Sequence, residues 1–451
     1  MSAHRGEFSS KAGFILAASG SAVGLGNIWG FPTNAAENGG GAFVLMYFLL
    51  AFCLAYPALM AELVIGRYTK ANMVHALQAI APGRLSKLLG KLTGFYGILV
   101  ASLILAFYSI VAGWMLAYFF EPVATLLGLK TLASWLTSDS IVRNLVLCFL
   151  FLALTCSVIV AGVEEGIEKW SCRLMPALFL MMAGLIVYVM LQPGAITGLK
   201  LYLIPDFNQL LDPKLVVSAL GQAFFSLSLG VGTMLIYGSY LRPEESLPSM
   251  GAIVTLVDSS IAFLAGLLVL PALFVAQQQG LSIYTESGSL IAGPDLIFQT
   301  IPALFKTMGT VGIWVAMAFF ALMSIAALTS SISMLEVPVS FTIEHHATHR
   351  RSATWLIGAI IFACSSVIII NFDALFGLVV TLATEYSQPL LGLMICVFAT
   401  WVWHRDLVLE EIRSGHPDVE QSLFWKIWPH YAKYCCPILI LVLLAQSFIN
   451  S

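Results

Sequence analysis

The chain has 451 residues, 59% of them hydrophobic and only 10% charged, with a formal net charge of −3. Soluble domains carry about 25% charged residues, so water is excluded as the main solvent, and the near-neutral balance argues against nucleic acid or a strongly acidic partner. The eight cysteines lie in or at the ends of apolar segments with no CxxC pair, and read as apolar fillers, not a disulfide or zinc framework.

The hydrocarbon core of a bilayer, about 30 Å thick, takes roughly 20 helical residues to cross. In chain order, apolar windows of that kind fall near 12–35, 42–66, 90–119, 142–162, 174–192, 215–240, 251–277, 309–341, 354–371, 375–403 and 435–449, eleven in all. Strand-like alternation is absent, so the expected fold is an all-α membrane bundle and not a barrel. The first ten residues are polar and the run after Lys11 has no small-residue cleavage site, so it reads as a first span and not a signal peptide. Sixteen Lys and Arg residues, from Arg5 to Lys433, fall in connections on the N-terminal side of the membrane; five (Lys130, Arg143, Lys200, Lys214, Lys306) fall on the other. By the positive-inside rule this is a multi-pass protein of the cell membrane with a cytoplasmic N-terminus and an extracellular C-terminus.

Two spans contain what a plain lipid-facing helix avoids. Span 1 reads Gly20-Ser-Ala-Val-Gly-Leu-Gly-Asn27, and span 6 reads Phe225-Ser-Leu-Ser-Leu-Gly-Val-Gly232. Each puts two glycines two apart, midway along an apolar run, at roughly 1 kcal/mol per glycine relative to alanine. Five spans separate the two breaks, as inverted repeats of five would require. The expected division is 1–192 (N-terminal segment and spans 1–5), 193–403 (spans 6–10, inverted) and 404–451 (cytoplasmic linker and span 11). Paired broken helices point to a central transport site, where half-helix N-termini face a carboxylate and unwound carbonyls face cations. Close packing of helices through small residues is the alternative.

With these residues in view, the chain resembles the neurotransmitter:sodium symporters, which share the leucine-transporter fold. The matching strings are Gly20 to Pro32, Ala36 to Phe43, Gly66-Arg-Tyr68, Gly221-Gln-Ala-Phe-Phe225 and Leu328-Thr-Ser-Ser331. The match is nearest to the eleven-span bacterial branch that carries multiple hydrophobic amino acids. The resemblance implies two Na⁺ sites, the first using Ala22, Asn27, Ser226, Asp258 and the substrate carboxylate. The second uses Gly20, Val23, Ala326, Thr329 and Ser330; hard oxygen ligands of this kind suit a hard cation. It further implies a substrate carboxylate on Leu25, Gly26 and Tyr108, an ammonium group on Ala22, Phe225 and Ser226 beside Ser228, and a side-chain pocket of Ile104, Tyr108, Phe225, Val231 and Met334. Singly these residues say little, because Ser and Thr in a span commonly bond back to the i−4 carbonyl.

The chain also departs from the family pattern. Asp258 stands where Asn is common, and an unpaired carboxylate at mid-depth costs at least about 2.5–3.5 kcal/mol. It is expected to replace the charge of chloride, so no chloride is expected. Gly30 replaces the usual outer-gate Arg, leaving Asp373 without its expected partner. Val231 stands where a bulkier Phe is frequent, which should admit side chains as large as those of Leu, Phe and Trp. On the inner side, Arg5 and Glu344 match a gate pair, although a terminal Arg is also an ordinary positive-inside signal. Glu62 has two readings: it meets free N–H groups of unwound span 6, or it is a rim carboxylate near Arg67. Gly166 and Pro176 of span 5 mark either a local opening toward the second sodium site or a static kink.

An enzyme is not expected. His345 and His349 have helical metal spacing but lack the HExxH order, and no GxxxxGK[ST] string is present. The expected function is sodium-coupled import of hydrophobic L-amino acids by alternating access, without an obligate protein partner. A substrate-gated channel and a non-transporting amino-acid sensor on the same fold are the alternatives.

Overall fold

The computed structural model describes residues 6–285, 290–291 and 293–449. Among these, helices dominate and the only β-pairing is two isolated bridges. Nine helices are long and apolar enough to cross a bilayer, and a pair bent by 57° makes a tenth. In chain order, α1 is the bent pair (Lys11–Ala22 and Gly26–Glu37), α2 is Gly41–Thr69, α3 Arg84–Leu126, α4 Ile141–Val160 and α5 Val163–Met190. The broken element α6 (Pro213–Ser226 and Thr233–Gly238) follows, its two pieces each too short to cross alone. Then come α7 (Leu247–Gln278), α8 (Gly309–His346), α9 (Arg350–Ile370), α10 (Phe372–Val402) and α11 (Leu423–Phe448).

Several helices outrun the apolar windows that mark them. The third extends from 84 to 126 and not 90 to 119, with Arg84 and Lys87 in the helical turns ahead of the apolar window. The last begins at Leu423, twelve residues before its apolar window. Apolarity measures immersion; the helix itself follows hydrogen bonding and caps. Ser10 caps α1 by accepting from Gly13 N at 3.0 Å, and Asp212 caps α6 through Lys214 N at 2.8 Å.

Helix α7 is the most enclosed, with 78% of its apolar window buried, whereas α5 and α11 have 28% and form the lipid-facing periphery. Helices α3 and α8 form the longest pairing, α1 packs on α5, α7 and α8, and α2 packs on the second piece of α6. All eight cysteines are free thiols, with Cys148, Cys156, Cys396 and Cys436 buried.

The Gly66-Arg-Tyr string has a packing reason at each position. A methyl on Gly66 would lie 1.9 Å from Leu235 O, so the α2–α6 seam admits only hydrogen there. Arg67 is 2% exposed and ties α2 to the helix Arg405–Gly415 through Glu411 Oε1 (2.5 Å), with a further bond to Glu245 O (2.5 Å). Tyr68 packs on Trp403, ring centroids 4.8 Å apart. Gly66→Ala is therefore expected to destabilise the protein by about 1–3 kcal/mol, the usual cost of overpacking. Thermal unfolding in detergent, followed by a dye that reacts with newly exposed thiols, reads this as a lowered midpoint; an unchanged midpoint would show that the seam yields.

Candidate functional site

The ladder of α1 stops at Val23, whose N–H donates to Ser19 O at 2.7 Å, and main-chain bonding resumes with Asn27 N and Ile28 N to Gly24 O at 3.2 and 3.3 Å. In α6 the break is deeper. Ser228, Gly230 and Gly232 all have positive φ (51°, 87° and 79°), which a right-handed helix cannot contain. Glu62 of α2 fills the gap: its Oε1 accepts from Gly230 N at 2.7 Å and its Oε2 from Leu235 N at 3.2 Å. Of the two readings of Glu62, the structure takes the first, since Arg67 is engaged elsewhere.

Both breaks face one small cavity of about 30 Å³. Ala22, Leu25, Gly26, Ile104, Tyr108, Phe225, Ser226, Ser228, Val231 and Met334, the whole expected substrate set, line it. Tyr108 is positioned by its hydroxyl, which accepts from Leu25 N at 3.1 Å. A methyl on Gly24 would meet Ser330 Oγ at 2.6 Å and Tyr108 Oη at 2.8 Å, so the glycine lets α1, α3 and α8 converge. The wall contributed by α10 was not expected. Gln388 is 2% exposed, and its Oε1 has no hydrogen-bond partner. Its only sequence signal is an uncharged amide inside an apolar span, too common to single out.

The first expected sodium set is drawn together around a carboxylate. Asn27 Nδ2 donates to Asp258 Oδ1 at 2.7 Å and to Ser226 Oγ at 2.8 Å, while Ser226 Oγ donates to Asp258 Oδ2 at 2.7 Å. Tyr47 Oη adds a bond to Ser226 Oγ at 3.2 Å. Asp258 is 1% exposed and makes no ion pair among the described residues. The second set also converges: Ser330 Oγ lies 2.9 Å from Val23 O and 3.5 Å from Gly20 O, and Thr329 Oγ1 bonds Ala326 O at 3.0 Å. The first cluster offers amide, hydroxyl and carboxylate oxygens and the second carbonyl and hydroxyl oxygens, the ligand types that hold alkali and alkaline-earth cations.

Both ends of the cavity are closed. Gly30 leaves room that Gln222 occupies: its Nε2 donates to Gly26 O at 2.8 Å and its Oε1 accepts from Asn34 Nδ2 at 2.9 Å. Above it, Trp114 packs against Phe298, Phe372 and Phe376, and Trp29 packs against Phe298. The closure at this end is thus aromatic, and Asp373 is exposed. At the other end, Glu336 is fully buried between Tyr240 Oη (2.6 Å) and Arg350 (2.5 Å). The N-terminal segment docks there, with Phe8 N on Tyr240 O at 3.1 Å and Ser9 and Ser10 on the Glu168 carboxylate. Glu344 accepts from Asn72 N at 3.0 Å and Nδ2 at 2.6 Å. The expected partner Arg5 lies outside the described residues. Both Gly166 and Pro176 lie in α5, Gly166 in its opening π-helical segment Val163–Glu168 and Pro176 further on, next to Met175 against Gly20.

Comparison with known proteins agrees with this architecture. The sodium:neurotransmitter symporter family model matches residues 5–144 and 139–451. An uncharacterized sodium-dependent transporter, YhdH of Bacillus subtilis, is 33% identical, covering 97% of this chain and 96% of its own length. An uncharacterized sodium-dependent transporter of Haemophilus influenzae is 30% identical over 98% of both chains. The crystal structure of MhsT in complex with L-phenylalanine superposes with a TM-score of 0.83 at 33% identity, covering 98% of this chain and 100% of that one. The chain belongs to the sodium:neurotransmitter symporter family. It is a multi-pass, sodium-dependent membrane transporter of that class.

Proposed function

We propose that the protein imports hydrophobic L-amino acids, aliphatic and bulky aromatic, together with two Na⁺ ions by alternating access around the cavity between α1 and α6. The observation that carries this reading is the convergence of two helix breaks, a carboxylate cluster and an apolar wall on one space. MhsT, crystallised with L-phenylalanine, supports the substrate class. In this reading α6 counts as a sixth crossing, giving eleven spans, with 1–192 and 193–403 as inverted halves and 404–451 as linker and last span. The N-terminus faces the cytoplasm.

The substrate carboxylate sits near Leu25, Gly26 and Tyr108, and its ammonium group near the carbonyls of Ala22, Phe225 and Ser226, beside Ser228. One Na⁺ is held by Ala22, Asn27, Ser226 and Asp258, the other by Gly20, Val23, Ala326, Thr329 and Ser330. Ile104, Val231 and Met334 supply apolar contact worth roughly 25 cal/mol per Å², which favours large side chains over Ala or Gly. The 30 Å³ now free has room for about two waters, so a bulky guest requires Phe225 and Met334 to swing aside. Glu344 belongs to the inner closure, in which Arg5 would be its partner. Gly166 and Pro176 weaken α5 behind the second ion, where local opening admits water before release.

Each Na⁺ entering at −100 mV contributes about 2.3 kcal/mol, so two contribute roughly 4.6 kcal/mol, enough for a gradient above a thousandfold.

Three results test this. In proteoliposomes with an inward sodium gradient, labelled Leu, Phe or Trp is expected to accumulate above its external concentration. Mere equilibration would indicate a channel and binding without uptake a sensor, while Gly or Ala out-competing the large side chains would refute the proposed specificity. Replacing chloride by gluconate should leave wild-type uptake unchanged, because Asp258 supplies the negative charge beside the first ion. Asp258→Asn should then weaken apparent sodium affinity about tenfold or more, with chloride restoring part of it; chloride dependence in the wild type would overturn the assignment. Finally, the unpartnered Gln388 Oε1 suits an indole N–H. Gln388→Leu is expected to weaken Trp about fivefold relative to Leu in a competition assay, and an unchanged ratio would remove Gln388 from the specificity wall.

A further inference from the structure

Where α10 meets α11, at the end of the bundle at which Arg67 meets the helix Arg405–Gly415, lies a second cavity of about 140 Å³. Three tryptophans, Trp403, Trp425 and Trp428, are buried in its wall, and Arg405, His430 and Lys433 supply its charge. No carboxylate lines it. Among the described residues none of these three bases forms an ion pair with an acid. Aromatic faces hold two of them instead: the Arg405 guanidinium lies 5.4 Å from the Trp425 ring centre, and the Lys433 ammonium 4.5 Å from that of Trp401. Such contacts fix a cation without neutralising it.

The tryptophans add a second, independent feature. Trp428 donates its indole N–H to Pro57 O at 3.0 Å, and Trp401 donates to Lys433 O at 2.9 Å. Trp403 is only 4% exposed, yet its indole N–H has no partner. A buried donor left unsatisfied costs about 1–3 kcal/mol, so an acceptor is wanted there. The helix Arg405–Gly415 also begins at this wall, its ladder starting only with Leu407 N to His404 O, and its positive end adds to the field. Beside the cavity α11 presents a bare apolar flank, with Ile427 57%, Tyr434 50% and Ile438 60% exposed.

We propose that this cavity binds the phosphate headgroup of an anionic phospholipid, whose acyl chains lie along the exposed flank of α11. The bases supply attraction, Trp403 supplies a directed hydrogen bond, and the flank distinguishes a lipid from a free phosphate ion. Basic pockets between spans on the cytoplasmic side are suited to such headgroups.

The test uses the full-length protein in detergent, titrated with short-chain phosphatidylglycerol, the matching phosphatidylcholine, or inorganic phosphate, with binding read by native mass spectrometry. Phosphatidylglycerol is expected to bind at least tenfold more tightly than either of the others. The double variant Arg405→Gln/Lys433→Gln should lose about thirtyfold, near fivefold per cation. Trp403→Phe, which keeps an aromatic ring against Tyr68 and removes the indole donor, should lose a few-fold. Equal affinity for the two lipids overturns the proposal, as does a double variant or a Trp403→Phe variant that binds phosphatidylglycerol like the wild type. Inorganic phosphate binding as tightly as phosphatidylglycerol overturns the lipid assignment.

Discussion

In a bilayer every main-chain N–H and C=O must find a partner inside the protein, and the broken centre of α6 meets this demand through Glu62. Its two oxygens accept from Gly230 N within the non-helical turn and from Leu235 N in the helical piece that follows. Three residues in left-handed conformations within five positions would otherwise leave buried donors without acceptors. Because α2 carries Glu62, and Gly66 lets α2 lie directly against Leu235, the break is fixed in position and not merely tolerated. The cavity beside it, with its wall of freed main chain from α1 and α6, depends on that arrangement.

Charge at the site follows the same logic. Asp258 is buried, with Asn27, Ser226 and Tyr47 all donating to its carboxylate, but among the described residues no basic side chain pairs with it. Hydrogen bonds orient a carboxylate; they do not cancel its charge. A mobile cation completes the balance in the proposed cycle, which ties ion binding to the geometry of α1, α6 and α7 together.

The two closures differ in physical kind. One is an aromatic cluster centred on Trp114 and Phe298, with Gln222 filling the space beside Gly30. The other is polar and layered: the buried Glu336 between Tyr240 and Arg350, and Glu168 holding Ser9 and Ser10 at the start of α1. In the proposed cycle, opening at this polar end would break charge-assisted hydrogen bonds and undock Phe8 from Phe14, Tyr237 and Tyr240. Opening at the aromatic end would separate rings whose contacts are individually weaker.

Much of this was legible in the chain itself, since composition dictates immersion and paired glycines at mid-span mark where helices fail. The two breaks read from the sequence, Gly20 to Asn27 and Phe225 to Gly232, do border one space, through Ala22, Gly24, Leu25 and Gly26 on one side and Phe225, Ser226, Ser228 and Val231 on the other, because local backbone failure is written in local sequence. Glu62 was ambiguous between Arg67 in its own helix and the N–H groups of α6, which lie 168 and 173 positions away, and only packing of α2 on α6 chose between them. Gln388, Glu168, Glu336 and Trp403 carried no local signal, since each acquires meaning from a neighbour distant in the chain. A polar side chain in an apolar span announces that it needs a partner; which one it receives, or whether it is left with none, is decided by which helices the tertiary structure sets side by side.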